Sequence, residues 1–339
     1  MLTVFNCGQG DAIKLENDFC LFNATKPLYI DLGPENYTCT VNSPVIDLLI
    51  THSHDDHIRG KFKNNNFSVD TLYIPAYFPE IYKILKKLLR NQFVKIPNIF
   101  RRVELLSEGS SIGNCMHAKV LNPPLDPNEI FSKKNVSDIS ERDIALFLEQ
   151  NSTSISDIIN QETPFINISY PEGYNSELFI KIAVNIIRQL TKNGNVTIEK
   201  AIKRFLEYDA NKISVVFKYY QEYNDISYLM TGDADRSVFN RLIKSKCCLR
   251  ADVLKVPHHG SIKNLSKRIL SKISPSVAII SHDNGKFGKA KDTHPNSKLI
   301  TILKSQGVIT YYTNDVKKNG ALIENAHSGP ITNADAIII

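Results

Sequence analysis

Three of the nine histidines fall within six residues, in the segment Thr51-His52-Ser53-His54-Asp55-Asp56-His57. Imidazole and carboxylate donors together, without thiolate, suit Zn²⁺, Mn²⁺, Fe²⁺ or Co²⁺. His52 and His54, two apart, can project together from a tight turn, while Asp56 and His57 lie further round the loop and can serve a second ion. Two divalent ions about 4 Å apart would activate a water between them and stabilise charge on the attacked and leaving oxygens, which is hydrolytic chemistry. The alternative is a solvated histidine-rich turn. Clustering neutral imidazoles and carboxylates without a cation has no packing benefit, so the segment reads as a metal site.

An apolar run at 45–50 leads directly into this cluster and reads as a strand. Similar short runs bounded by turn residues occur at 2–7, 12–15, 28–30, 71–74 and 118–121, and again at 213–219, 227–230, 252–256, 277–280 and 308–312. Helical spacing intervenes at Ile81, Ile84, Leu85, Leu88 and Leu89, with Lys83, Lys86, Lys87 and Arg90 on the other faces. It recurs at Val238, Leu242 and Ile243 and at Leu299, Ile302 and Leu303. Strands and helices alternate in both outer thirds, which predicts an α/β sandwich of two similar halves. Between them, Pro123, Pro124 and Pro127 open a polar stretch with helical texture at 141–149 and 177–190. A further helix there, capped by Thr197, carries the stripe Ile198, Ala201, Ile202, Phe205 and Leu206. Residues 125–210 therefore read as a helical insertion in a single domain spanning 1–339, since candidate ligands on either side of it must converge.

The cluster resembles the signature of the metallo-β-lactamase superfamily. Tyr29-Ile30-Asp31-Leu32-Gly33 is similar to the strand carrying that family's early Asp, and Met230-Thr231-Gly232-Asp233-Ala234-Asp235 to the strand whose Asp bridges two metals. Within the superfamily the hydrolase domain of ComEC-type competence proteins is the nearest resemblance. Cys7-Gly8-Gln9-Gly10-Asp11-Ala12 is similar to its VGQGDA opening, and the run from Asp252 through Pro257-His258-His259-Gly260-Ser261 to its DVLKVxHHGS. Asn284, Phe287, Gly288 and His294-Pro295 resemble a late N-x-YGHP element, stretched here by 289–293. The resemblance implies a four-layer αββα sandwich with two metals at its edge, and nuclease or phosphodiesterase activity.

Two positions depart from that pattern: Asn6 replaces an Asp, and Arg59 stands where a Gly would follow the ligand loop. Neither removes a ligand, and Arg59 could place a charge beside a phosphate oxygen. The superfamily's middle histidine is open. His117 is the only histidine between His57 and Asp233, while Asn211 to Ser214 fits the N-x-x-S element found in its place in the ComEC-type branch.

These readings assign His52 and His54 to one ion, Asp56, His57 and His259 to the other, and Asp233 as the bridge. Adjacent side chains leaving a strand point oppositely, so one of the pair is expected to bind metal, with His259 favoured over His258 and the other contacting substrate or supporting a ligand. Asp56, His258 and His294 are the catalytic candidates. Asp11 and Asp31 are expected to orient histidine N–H groups, and Arg59, Ser261 and Lys286 to contact substrate. Lys255, Lys263 and Lys289 are further lysines near the motifs, His282 is an outside candidate, and His327 reads as surface.

The 339-residue chain has 41 Lys+Arg, 35 Asp+Glu and 42% apolar residues, which is enough for a sizeable core and argues against disorder. A net charge of +6 admits an anionic substrate without demanding one. No basic tail or recognised nucleic-acid module is evident. The longest apolar stretches, 46–50 and 178–187, are too short or are interrupted by Lys181 and Asn185, so no membrane span is expected. The first ten residues show no secretory pattern, and six cysteines without CxxC spacing read as reduced thiols, together suggesting a cytoplasmic protein. Nucleic acid or another phosphodiester is the expected substrate. A small ester, lactone or phosphoester, or a non-catalytic scaffold whose insertion docks a partner protein, are the alternatives.

Overall fold

A computed structural model describes residues 1–16, 26–63, 66–89, 100–113, 117–131, 139–222, 224–283, 288–289, 292–318, 321–324, 326 and 336–339. Lys286, expected at the substrate, lies outside them, as do Asn284, Phe287, Cys20, Cys115 and His327.

The chain is a mixed α/β protein. Its larger sheet has eight strands: β1 (Leu2–Phe5), β2 (Ile13–Leu15), β3 (Leu28–Ile30), β4 (Val45–Leu49), β5 (Ser68–Pro75), β6 (Phe100–Leu106), β8 (Ile168–Ser169) and β14 (Ala336–Ile338). They lie side by side as β8-β6-β5-β4-β3-β2-β1-β14. The second has six: β7 (Ala118–Asn122), β9 (Val216–Gln221), β10 (Ile226–Met230), β11 (Val253–Lys255), β12 (Val277–Ile280) and β13 (Ile309–Tyr312). Their order is β13-β12-β11-β10-β9-β7.

Period-two alternation decides which side chains meet. Leu28, Ile30, Leu49 and Tyr73 from the first sheet share one buried cluster with Phe217, Tyr219, Tyr228, Met230, Val253 and Ile279 from the second. The intervening residues Leu229, Leu254, Ala278 and Ile280 turn the other way, onto helices Arg236–Lys244, Lys267–Ile273 and Ser297–Ser305. On the first sheet Ile46, Leu48, Leu72 and Ile74 form the corresponding outer cluster, with Phe78 and Phe165. β3 and β4 are parallel neighbours, as are β10, β11 and β12. Each therefore releases its following loop at the same carboxyl end, where α/β sheets place their sites.

Among the described residues, the middle of the chain supplies helices Glu141–Glu149, Ile155–Ile159, Ser176–Gly194 and Ile198–Asp209. Ser140, Ser154, Asn175 and Thr197 cap them by accepting from backbone N–H groups of the first turn. Three elements differ from expectation. Residues 168–169 form β8, pairing in parallel with Val103 and Glu104, so the helical stretch also extends the first sheet. β6 itself escapes the apolar-run criterion because Arg101, Arg102 and Glu104 interrupt it. The strand expected at 213 begins at Val216, after the 3₁₀ turn Ala210–Ile213.

The inserted helices pack on helix Phe78–Leu88: Ile81, Ile84 and Leu85 share a cluster with Ile144, Phe179, Ile182, Ile186, Ala201 and Phe205. A buried polar junction reinforces it. Glu80, 1% exposed, accepts from the Tyr174 hydroxyl and from Ser176 Oγ at 2.8 Å, and the Tyr77 N–H donates to Tyr174 at 3.1 Å. Tyr174→Phe strands a buried carboxylate oxygen and a backbone N–H, and is expected to lower unfolding stability by about 1–3 kcal/mol. Urea denaturation checks this; an unchanged midpoint would show that the hydroxyl contributes nothing.

Candidate metal centre

Asp31 organises the ligand loop from the end of β3. Its backbone takes a left-handed conformation, φ 57°, and it is 2% exposed. One carboxylate oxygen accepts the Thr51 N–H at 2.7 Å. The other accepts the Thr51 hydroxyl at 2.6 Å and His57 Nδ1 at 2.7 Å. Because the Thr51 hydrogen points to Asp31, its oxygen is left to accept from His52 Nδ1 at 3.0 Å. One carboxylate thereby fixes two rings with Nδ1–H outward and Nε2 inward, the first directly and the second through a hydroxyl. His259 shows the same arrangement, with Nδ1 donating to the Ser281 carbonyl at 3.1 Å.

The three inward nitrogens meet Asp233. His57 Nε2 is 3.4 Å from Asp233 Oδ1 and His259 Nε2 is 3.6 Å from the same oxygen. His52 Nε2 is 3.8 Å from Oδ2. Asp56 completes the rim, with Oδ2 3.4 Å from His259 Nε2 and Oδ1 3.9 Å from His57 Nε2. His52, His57 and Asp233 form one group able to hold a metal ion, and Asp56, His57 and His259 another. Nε2 of all three histidines and both oxygens of Asp233 are buried without a hydrogen-bond partner among the described residues. Such atoms are costly to bury unpaired, and a divalent cation satisfies them all at once. These residues therefore fit a metal ion.

Close contacts hold the loops in register. Ser214 Oγ accepts the Asp233 N–H at 3.0 Å, so the N-x-x-S serine positions Asp233. Gly10, φ 126°, lies under the ligand loop, where a Cβ would fall 2.1 Å from the Asp56 carbonyl. At Gly232, φ 46°, a Cβ would meet Ser214 Oγ at 2.4 Å.

Electrostatics set the proton inventory. Burial disfavours the imidazolium of His57, but Asp233, Asp31 and Asp56 outweigh it and raise its pKa well above the ordinary value. His259 is raised in the same way, chiefly by Asp233 and Asp56 against burial. His52 is lowered by burial and by its neighbours His57 and His54. Burial opposes the charge of Asp233, yet His259, His57 and His258 hold its pKa well below the usual carboxylate range.

Other expected residues are placed differently. His54 Nε2 donates to the Leu206 carbonyl at 2.7 Å and its ring stands 4.5 Å from that of His52, but it is not a member of the close donor groups found among the described residues. Asp11 does not orient a ligand N–H. It sits against the ammonium of Lys255 at 2.7 Å, both groups 1% exposed, because the His259 N–H already has the Ser281 carbonyl. Lys255 is thus a buried partner rather than a phosphate contact. Ser261 is buried too: its hydroxyl donates to Asp292 at 2.8 Å and accepts the Lys263 N–H, so it ties two loops together. The Arg59 guanidinium is held by Asp55 at 2.8 Å and Glu35 at 3.5 Å on the outside of the loop.

His258 and His259 do not alternate as strand residues would. Both are left-handed, φ 50° and 53°, and both rings reach Asp233, His258 Nε2 lying 3.8 Å from Oδ2. His294 packs edge-on against His258 at 4.7 Å, with a buried Nδ1 that has no hydrogen-bond partner among the described residues. His117 is 2.9 Å from Glu222 and belongs to neither ligand group, and His282 Nε2 bonds to the Asn314 carbonyl. Asn264, which touches two of the ligand loops, carries no sequence signal that singles it out.

No protein-family model matches the chain. It is similar to ComE operon protein 3 of Bacillus subtilis (strain 168), 29% identical over 89 residues, which are 26% of this chain and 11% of that protein. It is also similar to Recombination protein 2 of Haemophilus influenzae (strain ATCC 51907 / DSM 11121 / KW20 / Rd), 41% identical over 68 residues, 20% of this chain and 8% of that protein. The similarity thus spans about a tenth of the length of either relative.

Because His57 and His259 carry raised pKa values, cation uptake displaces their protons. Apparent affinity should therefore rise with pH through and above the ordinary imidazole pKa of about 6.5. Calorimetry in buffers of different ionisation enthalpy reads the released protons; affinity independent of pH across that window would contradict the assignment. Asp31→Ala, which frees the Nδ1 of His57, is expected to weaken metal affinity by about 10–100-fold, measured by competition with a chelating dye.

Proposed function

We propose that this chain is a metal-dependent hydrolase of the metallo-β-lactamase fold that cleaves phosphodiesters, with nucleic acid as the favoured substrate class. The observation that carries the reading is the set of unpartnered, buried imidazole nitrogens around both oxygens of Asp233. We read the two sheets joined by one core, with helices on their outer faces, as that family's four-layer αββα sandwich. Similarity to a protein named for recombination supports nucleic acid over a lactone or other small ester, as does the +6 net charge.

Two divalent ions held there, zinc or manganese, would supply Lewis acidity, activating a water as nucleophile and neutralising charge on phosphate oxygens. The chain's own residues prepare that chemistry. Asp31 and Ser281 orient rings through Nδ1, and Asp56 contributes a carboxylate of depressed pKa at the rim: burial opposes its charge, but His57 and His259 sustain it. His294, whose pKa burial and His258 lower to about 4, is neutral near pH 7. It presents an unpartnered nitrogen able to exchange a hydrogen bond with substrate.

Purified protein supplied with Mn²⁺ or Zn²⁺ should cleave a labelled panel of single- and double-stranded DNA, RNA and bis-p-nitrophenyl phosphate. Combining Asp56→Ala with His57→Ala should lower the rate by at least ~10³-fold, since metal Lewis acidity contributes several kcal/mol to the transition state. Hydrolysis of lactones with no phosphodiester cleaved would overturn the substrate class.

A further inference from the structure

We propose that helices Arg236–Lys244 and Lys267–Ile273 present a binding face for the phosphate backbone of nucleic acid, leading away from the metal centre. The class of polyanion rests on the phosphodiesterase reading above, and the face itself does not.

The net charge of +6 is unevenly placed. Between 236 and 272 ten lysines and arginines stand against one acidic residue, Asp252, a net +9, so the rest of the chain is net −3. Lys255 is held by Asp11, and Arg241 by Glu108 and by Glu129 at 3.5 Å. The other eight are exposed. Of these only Lys263 has an acidic side chain within ion-pair distance among the described residues, Asp292 at 3.4 Å. Asp252 turns its carboxylate to the N–H and hydroxyl of Ser227, at 2.8 Å and 2.6 Å. The inserted helices are built the other way. There Lys181 lies between Glu141 and Glu177, and Lys203 is paired with Glu199.

Packing turns these cations outward together. Val238, Phe239 and Leu242 of the first helix share one buried cluster with Ile269, Leu270 and Ile273 of the second. Apart from Ile243, every other position on the two helices is Lys, Arg, Ser or Asn, and neither contains an acidic residue. The helix dipole accounts for Lys244 and Lys272, which stand in last turns. It does not account for Arg236, Lys267 and Arg268, which stand in first turns, where a cation is disfavoured. A one-sign surface that also loads the wrong ends of its helices costs stability. A ligand carrying regularly spaced negative charge removes that cost.

The face is continuous with the metal centre. The loop carrying Asp233 runs into the first helix, and the loop carrying His258 and His259 precedes the second. Asn264 stitches the two loops, donating to the carbonyls of Asp233 at 3.3 Å and Ala234 at 3.0 Å, and Arg236 Nη2 donates to the Ile262 carbonyl at 2.6 Å. Arg236 and Lys263 therefore stand together beside the ligand loops, and the remaining cations follow the helices away from them. The nine residues of the first helix, at about 1.5 Å each, span about 14 Å, the length of roughly four successive phosphates on one strand of a duplex. Among the described residues the exposed large apolar side chains, Met1, Leu146, Ile166, Tyr170 and Ile309, all lie elsewhere. A lipid surface is gripped by inserted apolar groups, whereas a phosphate backbone is held by cations and polar groups alone.

Fluorescence anisotropy of a labelled phosphorothioate DNA duplex, which resists cleavage, with Zn²⁺-loaded protein tests the face. Lys267→Gln combined with Arg268→Gln and Lys272→Gln should weaken binding by about 10–100-fold near 0.1 M salt. The slope of log affinity against log salt should become shallower by about 2–3, since each phosphate contact contributes about 0.9. Hydrolysis of bis-p-nitrophenyl phosphate, too small to reach the face, should stay at the wild-type rate, and circular dichroism should match wild type. Lys192→Gln with Lys200→Gln and Lys203→Gln, on the inserted helices, should leave binding unchanged. Unchanged affinity and slope in the first variant would overturn the proposal, as would tighter binding to phosphatidylserine vesicles than to DNA. Hydrolysis of the small diester with no DNA binding would overturn it and leave the phosphodiesterase reading standing. DNA binding with the expected dependence but no hydrolysis of any phosphodiester would uphold it and overturn that reading.

Discussion

A carboxylate buried to 1% exposure, with no hydrogen-bond donor among the described residues, is the constraint around which this structure is arranged. An isolated ionised group in that setting costs several kcal/mol even after relaxation. The imidazoles of His259, His57 and His258 make the charge of Asp233 tolerable, and the carboxylate in turn raises the pKa values of His57 and His259. Removing those rings from the interior would leave an uncompensated charge; replacing Asp233 would leave unpaired nitrogens. Carboxylate and rings form one unit that fits a shared cation better than shared protons, since both His57 and His259 face Oδ1 and protons there leave Oδ2 of Asp233 without a donor.

The apolar core does not itself bring these groups together. It fixes where strands end. Leu28, Ile30 and Leu49 from one sheet and Tyr228, Met230 and Val253 from the other meet in one cluster, so the loops following β3, β4, β10 and β11 start from mutually rigid points. Short polar tethers then set the side chains: Asp31 on Thr51 and His57, Ser214 on the Asp233 N–H, the Ser281 carbonyl on His259. All are buried, where a satisfied hydrogen bond is stiff and a broken one expensive. This two-level construction, strand ends by packing and rings by tethers, is what preorganisation of a metal site requires.

It also explains what could be read from the sequence. The cluster at 52–57 is legible because its donors are close in the chain and follow an apolar run, and the strand and helix periods around it reflect burial directly. Asp31 and Asp233 were legible through motifs rather than through any property of their own. What escaped depends on partners distant in sequence. In sequence Lys255 reads as a phosphate contact, whereas its partner in the fold is Asp11, 244 residues away. Ser261 gave no sign of Asp292, and His258 none of a left-handed backbone that reverses the expected alternation. β6 was hidden because Arg101, Arg102 and Glu104 break the apolar run.

His54 stands apart among the histidines of the ligand loop because its tether comes from outside the two sheets. The acceptor is the Leu206 carbonyl, in a helix whose apolar face, Ala201, Ile202 and Phe205, packs into the cluster built on helix Phe78–Leu88. The stretch that looks separable in sequence is thus joined to the site at its exit: Leu206 holds His54, Ser214 holds Asp233, and the Val215 N–H donates to the Thr51 carbonyl at 2.9 Å. Ten residues of chain, 206–215, thus touch two candidate ligands, His54 and Asp233, and Thr51, which orients a third, His52. The insertion is therefore not separable from the ligand loop: packing of its helices on helix Phe78–Leu88 fixes the carbonyl that holds His54, while the chain that leaves it holds Asp233 and Thr51 beside β9.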